Sequence, residues 1–167
     1  MNAEYWIEKL QLQPHVEGGY FREIYRSEQK VKLVNNSEKI FHAGTDIYFL
    51  LGSPSEGQFS AWHYLENTEE IWHHHVGDDV KIYYIDNNAQ LQTKLLGMSE
   101  QAEPLIHIPA NCWFAAAVNN PAPSAYALLS CACFPGFDYN NFRLAERNTL
   151  IAEYPQHQQI IKQFTRG

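Results

Sequence analysis

Between residues 45 and 134 the chain alternates short apolar, β-branched and aromatic runs with turn-forming clusters. This rhythm limits the available folds more than any other feature. Runs at 45–52, 58–64, 70–76, 80–85, 91–96, 105–108, 112–118 and 125–134 have strand length and strand composition. The breaks between them, such as Glu66-Asn67-Thr68, Gly77-Asp78-Asp79, Asp86-Asn87-Asn88 and Pro109-Ala110-Asn111, are rich in residues that fold back on their own backbone. With a further alternating run at 20–26, the count is eight or nine closely spaced strands, which predicts an antiparallel sandwich or barrel. No glycine-rich phosphate loop and no strand–helix alternation occurs, so a nucleotide-binding α/β fold is ruled out.

The flanks read differently. Residues 4–12 have helical spacing, with Trp6, Ile7 and Leu10 on one side and Pro14 as the stop. His15-Val16-Glu17-Gly18-Gly19 is a turn, which either closes a pocket mouth or simply reverses the chain. In the run that follows, Tyr20, Arg22, Ile24 and Arg26 share one face, and Phe21, Glu23 and Tyr25 the other. After Pro135-Gly136-Phe137-Asp138 the pattern becomes helical at 142–147 and 155–164, with Pro155 in a first turn and Ile160, Ile161 and Phe164 as the docking face. One domain is expected over 1–167, with a β-barrel core at about 15–135 and a helical tail at about 140–165.

Composition narrows the function. At 45% hydrophobic and 14% aromatic residues, disorder is excluded. A net charge of −7 without a Lys/Arg run argues against nucleic acid as a partner. The most apolar stretch, 125–134, is far shorter than the ~18 residues of a spanning helix, so no membrane partner is expected. The first ten residues lack a basic start followed by an apolar run, and a cytoplasmic location is expected. Three cysteines cannot all pair, and Cys131 and Cys133 share a strand face, so all three read as buried thiols.

Residues 58–79 concentrate the chemistry. Four histidines (His63, His73, His74, His75) and several carboxylates stand among Trp62 and Trp72, as in the wall of a polar pocket. If Glu70 points inward along a strand, Trp72 and His74 do too, while His73 and His75 point away.

The sequence also resembles a subfamily of small cupins. The resemblance is carried by Pro14-His15-Val16-Glu17-Gly18-Gly19-Tyr20-Phe21-Arg22-Glu23, then Ser60-Ala61-Trp62-His63, then Glu70-Ile71-Trp72-His73-His74-His75-Val76-Gly77-Asp78, then Ile108-Pro109-Ala110-Asn111-Cys112-Trp113, and finally Pro135-Gly136-Phe137. These five motifs occur in order over roughly residues 5–140. The resemblance implies an all-β, double-stranded β-helix (a jelly roll around a ligand cavity), a relation to sugar-nucleotide epimerases of the rhamnose pathway, and a homodimer. It implies no settled biochemical function. The metal pattern common among cupins is incomplete: Glu70, Gly77 and His63 fit it, but Ala61, Asn111 and Phe114 stand where a histidine, a glycine and a second histidine would be.

These readings lead to an expected small-molecule binder, with epimerase or isomerase activity on a sugar-like or carbonyl compound. His63 and Glu70 are the catalytic candidates, as a dyad in which the carboxylate orients the imidazole. Tyr48 or Tyr20 would donate a proton. Trp62, Trp72, Trp113 and Phe137 would stack on the ligand, Glu17 and Ser60 would orient it, and Arg22 would meet an anionic group. No cofactor is expected. A metal held by His63, Glu70 and His74, as in a cupin oxygenase or isomerase, is one alternative, since a stable site needs three or more ligands. A non-catalytic ligand-binding protein is the other.

Overall fold

The computed structural model describes residues 1–34 and 36–166. Helix α1 (Ala3–Leu10) is capped by Asn2, whose side chain accepts from the Tyr5 backbone N–H at 3.1 Å. Thirteen strands are present among the described residues: β1 (Gln13–Pro14), β2 (Tyr20–Arg26), β3 (Lys30–Leu33), β4 (Asn36–His42), β5 (Thr45–Leu51), β6 (Ser60–Leu65), β7 (Glu69–Gly77), β8 (Val80–Ile85), β9 (Leu91–Leu96), β10 (Leu105–Ile108), β11 (Trp113–Val118), β12 (Ala127–Phe134) and β13 (Phe142–Leu144). Helices α2 (Arg147–Glu153) and α3 (Gln158–Gln163) follow. Among the described residues, no helix is long and apolar enough to cross a membrane.

The strands form a six-stranded sheet in the order β1-β2-β5-β12-β7-β10 and a five-stranded sheet in the order β13-β6-β11-β8-β9, with β3-β4 as a separate hairpin. All these pairs are antiparallel, and the two large sheets form the sandwich expected from the turn spacing, with the jelly-roll form that the resemblance implies. Turn chemistry acts where the sequence places it. Asp86 Oδ1 accepts from the backbone N–H groups of Asn88 and Gln90, closing the β8–β9 turn.

The buried interior between the sheets includes Phe49, Leu51, Trp72, Val80, Ile82, Leu96, Phe114, Val118 and Leu129. A second cluster lies outside the five-stranded sheet, where Trp62, Ile85 and Ala115 pack under Leu150, Ile161 and Phe164 of the C-terminal helices. A third joins Trp6, Ile7 and Leu10 of α1 to Leu50 and Leu128 on the outer face of the six-stranded sheet.

The structure corrects two local expectations. Residues 142–147, expected to be helical, begin as β13, which pairs with β6 through Phe142–Leu65, Arg143–Tyr64 and Leu144–His63. The otherwise open edge of β6 captures this segment, and tertiary pairing overrides local helix spacing. The helix starts only at Arg147, after Glu146, whose carboxylate accepts from the N–H groups of Asn148 and Thr149. The β3–β4 hairpin was not anticipated; β3 is largely exposed, whereas Phe41 of β4 is buried.

Register shifts decide which residues face inward, and those in β2 and β6 bear on the site. In β2, Glu23 pairs with Ile47 but Tyr25 with Asp46, leaving Ile24 as an extra residue. In β6, Phe114 pairs with His63 while Ala116 pairs with Ser60, so β6 carries two residues, Ala61 and Trp62, where β11 carries one. Such bulges break the two-residue alternation and re-aim every side chain beyond them.

Candidate functional site

A cavity of about 430 Å³ lies along the inner face of the six-stranded sheet. Ladder rows across the sheet supply one wall. The first runs Glu70, Cys133, Thr45 and Arg26; the second runs Trp72, Cys131, Ile47 and Glu23; Phe49 and Phe21 belong to the third. The hairpin residues Ile40, Phe41 and His42 and the loop Gly136–Tyr139 cover it, while His15 and Glu17 enter from the β1–β2 turn.

That turn is built on two glycines. Gly18 and Gly19 take φ of 115° and 70°, in the region glycine favours. A side chain at Gly18 would start 2.1 Å from the Phe59 carbonyl oxygen, and one at Gly19 2.6 Å from that of Leu50. The glycines thus let the loop press against β5 and β6, burying Glu17 to 6% exposure.

Glu17 is the centre of the polar network. Ser60 Oγ donates to its Oε1 at 2.8 Å, and its Oε2 lies 3.2 Å from His63 Nε2. His63 Nδ1 lies 2.7 Å from the Ala61 carbonyl, which can only accept, so Nδ1 carries a hydrogen. His15 Nδ1 accepts from the Glu17 backbone N–H at 3.3 Å and lies 3.6 Å from Glu17 Oε2. Burial raises the Glu17 carboxyl well above the usual carboxylate range; neighbouring Glu70 adds to this, and Ser60 and Arg166 oppose it. Burial pushes His63 down to about 3 and His15 down to about 4, and pushes Glu70 up to about 7 against the indole N–H that Trp72 donates to it. Burial also holds Cys131 and Cys133 as thiols.

Proton accounting follows from these contacts. A neutral His63 with its hydrogen on Nδ1 turns a lone pair toward Glu17. The Oε2–Nε2 contact at 3.2 Å is attractive only if one proton lies on that line. Burial disfavours both groups as ions, which favours that proton on Glu17.

The structure brings Glu17, Ser60, His63, Glu70, Trp72 and Phe137 to one site, but in different partnerships from those expected. Glu17, not Glu70, is the carboxyl opposite His63. Only Glu17 and Glu70 of these three line the cavity; His63 stands behind Glu17, against the Phe114 ring at 3.9 Å. The other candidates lie elsewhere. Tyr20 and Tyr48 pack on the outer face of the six-stranded sheet beside α1, with Arg22 over the Tyr48 ring at 5.9 Å. Trp62, displaced by the β6 bulge, donates its indole N–H to the Ile160 carbonyl beneath the C-terminal helices. Trp113 lies in a separate outer cleft with Tyr64 and Arg143. His74 does face inward, but lies outside the cavity lining, with Nε2 3.1 Å from the Asp78 carbonyl.

His15, Arg26, Glu23, Phe41, His42, Cys131 and Cys133 were not anticipated. His15 could have been found, because it lies in the same motif as Glu17. Arg26 replaces Arg22 as the arginine of the cavity because of the β2 bulge. It contacts Glu23 at 2.9 and 2.6 Å and donates to the Phe137 carbonyl at 3.0 Å.

The residues present do not fit the metal of the general cupin pattern. Ala61 belongs to the outer cluster, and the Phe114 ring occupies the place of a histidine. Among the described residues no group of three or more His, Cys, Asp or Glu side chains is placed to hold an ion. Asn111 does keep the backbone of the glycine it replaces, at φ 61°.

Comparison with known proteins agrees with this architecture. A crystal structure from Shewanella oneidensis matches with a TM-score of 0.87 and 33% identity, covering 99% of this chain and 98% of its own. A hypothetical protein from Leishmania major matches with a TM-score of 0.90 and 32% identity over 100% of both chains. A dTDP sugar isomerase from Desulfovibrio desulfuricans shares the fold at 15% identity and a TM-score of 0.53, over 77% of this chain and 82% of that one. No curated protein matches the sequence. The family model described as Cupin superfamily (DUF985) matches residues 4–145, and the chain belongs to that family of cupins.

Proposed function

We propose that the protein binds a small sugar-like or carbonyl compound in this cavity and catalyses a proton transfer of the epimerase or isomerase kind. The observation that carries this reading is the buried Glu17–His63 contact at 3.2 Å, in which Glu17 also lines the cavity. Isomerisation next to a carbonyl needs an acid and a base on the two sides of the reacting carbon. Glu70, near neutrality at about 7, supplies the base. Glu17 supplies the acid, Ser60 fixes its second oxygen, and neutral His63 holds the Glu17 proton between turnovers by accepting its hydrogen bond at Nε2. Phe21, Phe41, Phe137 and Tyr139 give the ligand flat apolar surfaces.

A second reading, ligand binding without turnover, is favoured by these same aromatic walls. The reading also includes a second copy of the chain. On the six-stranded sheet, Ile24, Tyr25 and Leu105 remain exposed, and sedimentation of the protein tests whether they are covered.

The test of catalysis is incorporation of solvent deuterium into a panel of keto-sugars and sugar nucleotides, followed by NMR. Glu17→Gln and Glu70→Gln are each expected to slow incorporation by ~10²-fold or more. Binding without incorporation leaves the sensor reading. Incorporation that survives Glu17→Gln removes Glu17 from the mechanism.

A further inference from the structure

We propose that Arg166, in the segment after α3, is a positioning residue that clamps the turn carrying Glu17 onto β6. This rests on the acid role assigned to Glu17 above. One guanidinium serves three backbone carbonyls: Nη1 donates to Gly57 at 2.8 Å, and Nη2 to Phe59 at 2.9 Å and to Glu17 at 3.1 Å. Its carbon lies 4.2 Å from the centre of the Phe59 ring. The Glu17 carbonyl also accepts from the Ala61 N–H at 2.8 Å, so its backbone is fixed from two sides.

The clamp is itself anchored. Arg147 donates to the Thr165 hydroxyl and carbonyl, each at 2.8 Å, and Thr165 Oγ1 donates to the Ile161 carbonyl at 2.9 Å. Trp62 ties the helices to the sheet through its indole N–H to Ile160 and its backbone N–H to the Phe164 carbonyl at 2.9 Å. The outward turn of Trp62 therefore serves the site indirectly.

A turn with two adjacent glycines has the least intrinsic backbone order of any loop of its length. The acid is useful only if Glu17 meets both Ser60 and His63, so something must hold that turn. Arginine suits the task because its planar fork reaches several carbonyls at once, which a lysine ammonium on a flexible stem does not. Its charge also lies near the Glu17 carboxyl and opposes the effect of burial there.

The experiment compares the full chain with R166K and R166Q. It follows amide hydrogen exchange at Gly18 and Ala61, together with NMR titration of the Glu17 carboxyl carbon and the His63 ring nitrogens. Loss of the fork is expected to speed exchange at both amides by about tenfold in either variant, the size of about one hydrogen bond. The Glu17 titration should move to higher pH in R166Q and much less in R166K. Unchanged exchange and unchanged titration, with only a lower melting temperature, overturn the clamp. Should R166Q fail to fold, exchange in R166K decides alone. The wild-type spectra test the underlying reading separately: a doubly protonated His63 ring at neutral pH ends the acid assignment, whereas the clamp stands or falls on the exchange rates.

Discussion

The two ends of the barrel are built from the same strands, yet one is filled and the other is hollow. Toward one end, Val80, Ile82, Leu96, Val118, Ala125 and Ala127 interlock as buried apolar side chains. Toward the other, the same inward positions carry Glu70, Cys133, Thr45 and Arg26, and space remains between them. On β12 alone, inward positions pass from Ala127 and Leu129 to Cys131 and Cys133 in six residues. Apart from the β2 bulge that brings Arg26 inward, the pleat offers both ends the same geometry, so the contrast along β5, β7 and β12 is one of side-chain choice. The filled end gains stability from dense packing, while the hollow end keeps ionisable groups in a place that disfavours their ions.

The sharpest way to break this contrast is to truncate one residue at each end. Leu96→Ala at the filled end is expected to cost ~2–5 kcal/mol in urea unfolding. Phe137→Ala at the cavity roof should cost roughly 1 kcal/mol, because its neighbours already border open space. Equal costs would mean that the cavity end is part of the structural core.

A second comparison is between pH values. Glu70 titrates near 4.5 when unfolded and at about 7 in the fold. The folded state then binds more protons between these values, so stability is present below pH 4.5 and declines as pH rises to about 7. Glu70→Gln removes this decline and can still accept the Trp72 indole N–H. It is expected to stabilise the protein on the order of 3 kcal/mol at pH 8.5 and to change little at pH 4.5. His15 and His63 have the opposite sign: their folded values of about 4 and 3 lie below 6.5, so they destabilise as pH falls below 6.5. They do so equally in both proteins and cancel in the difference. A Glu70→Gln benefit independent of pH would contradict the buried-carboxyl picture.

Much of the fold could be read from turns and alternation. Strands at 20–26, 80–85, 91–96 and 105–108 have the bounds expected; the last three lie between turn-forming residues, and the first follows Gly18-Gly19. Ser60, His63 and Glu70 could be singled out because polar residues stand there in apolar strand patterns, and Glu17 because it stands in the Pro14–Glu23 motif beside two glycines. Their pairing could not be read, because it depends on which strands face each other across the barrel. Nor could the orientation of Trp62 and Arg26. A period-two reading assumes unbroken alternation, and neither bulge announces itself with a glycine or proline. The β13 segment was misread for another reason: its strand state comes from the β6 edge, a long-range partner that no local window contains.

The smallest expected effect is also the most specific check on the β2 bulge. Arg22 and Arg26 would share a face in an unbroken strand, and their replacement would then act alike. With Ile24 inserted, Arg22 lies on the outer face over Tyr48, and Arg26 reaches the cavity, where Glu23 balances its charge. Both are partly exposed, so Arg22→Ala and Arg26→Ala should each cost about 1 kcal/mol or less. The difference should appear in binding. Arg26→Ala leaves Glu23 uncompensated at the cavity wall and is expected to weaken an anionic ligand by about tenfold relative to a neutral one, by isothermal titration. Arg22→Ala should leave both unchanged. If Arg22→Ala matched Arg26→Ala, the bulge would not be what aims Arg26, and the assignment of inner and outer faces on β2 would have to be redrawn.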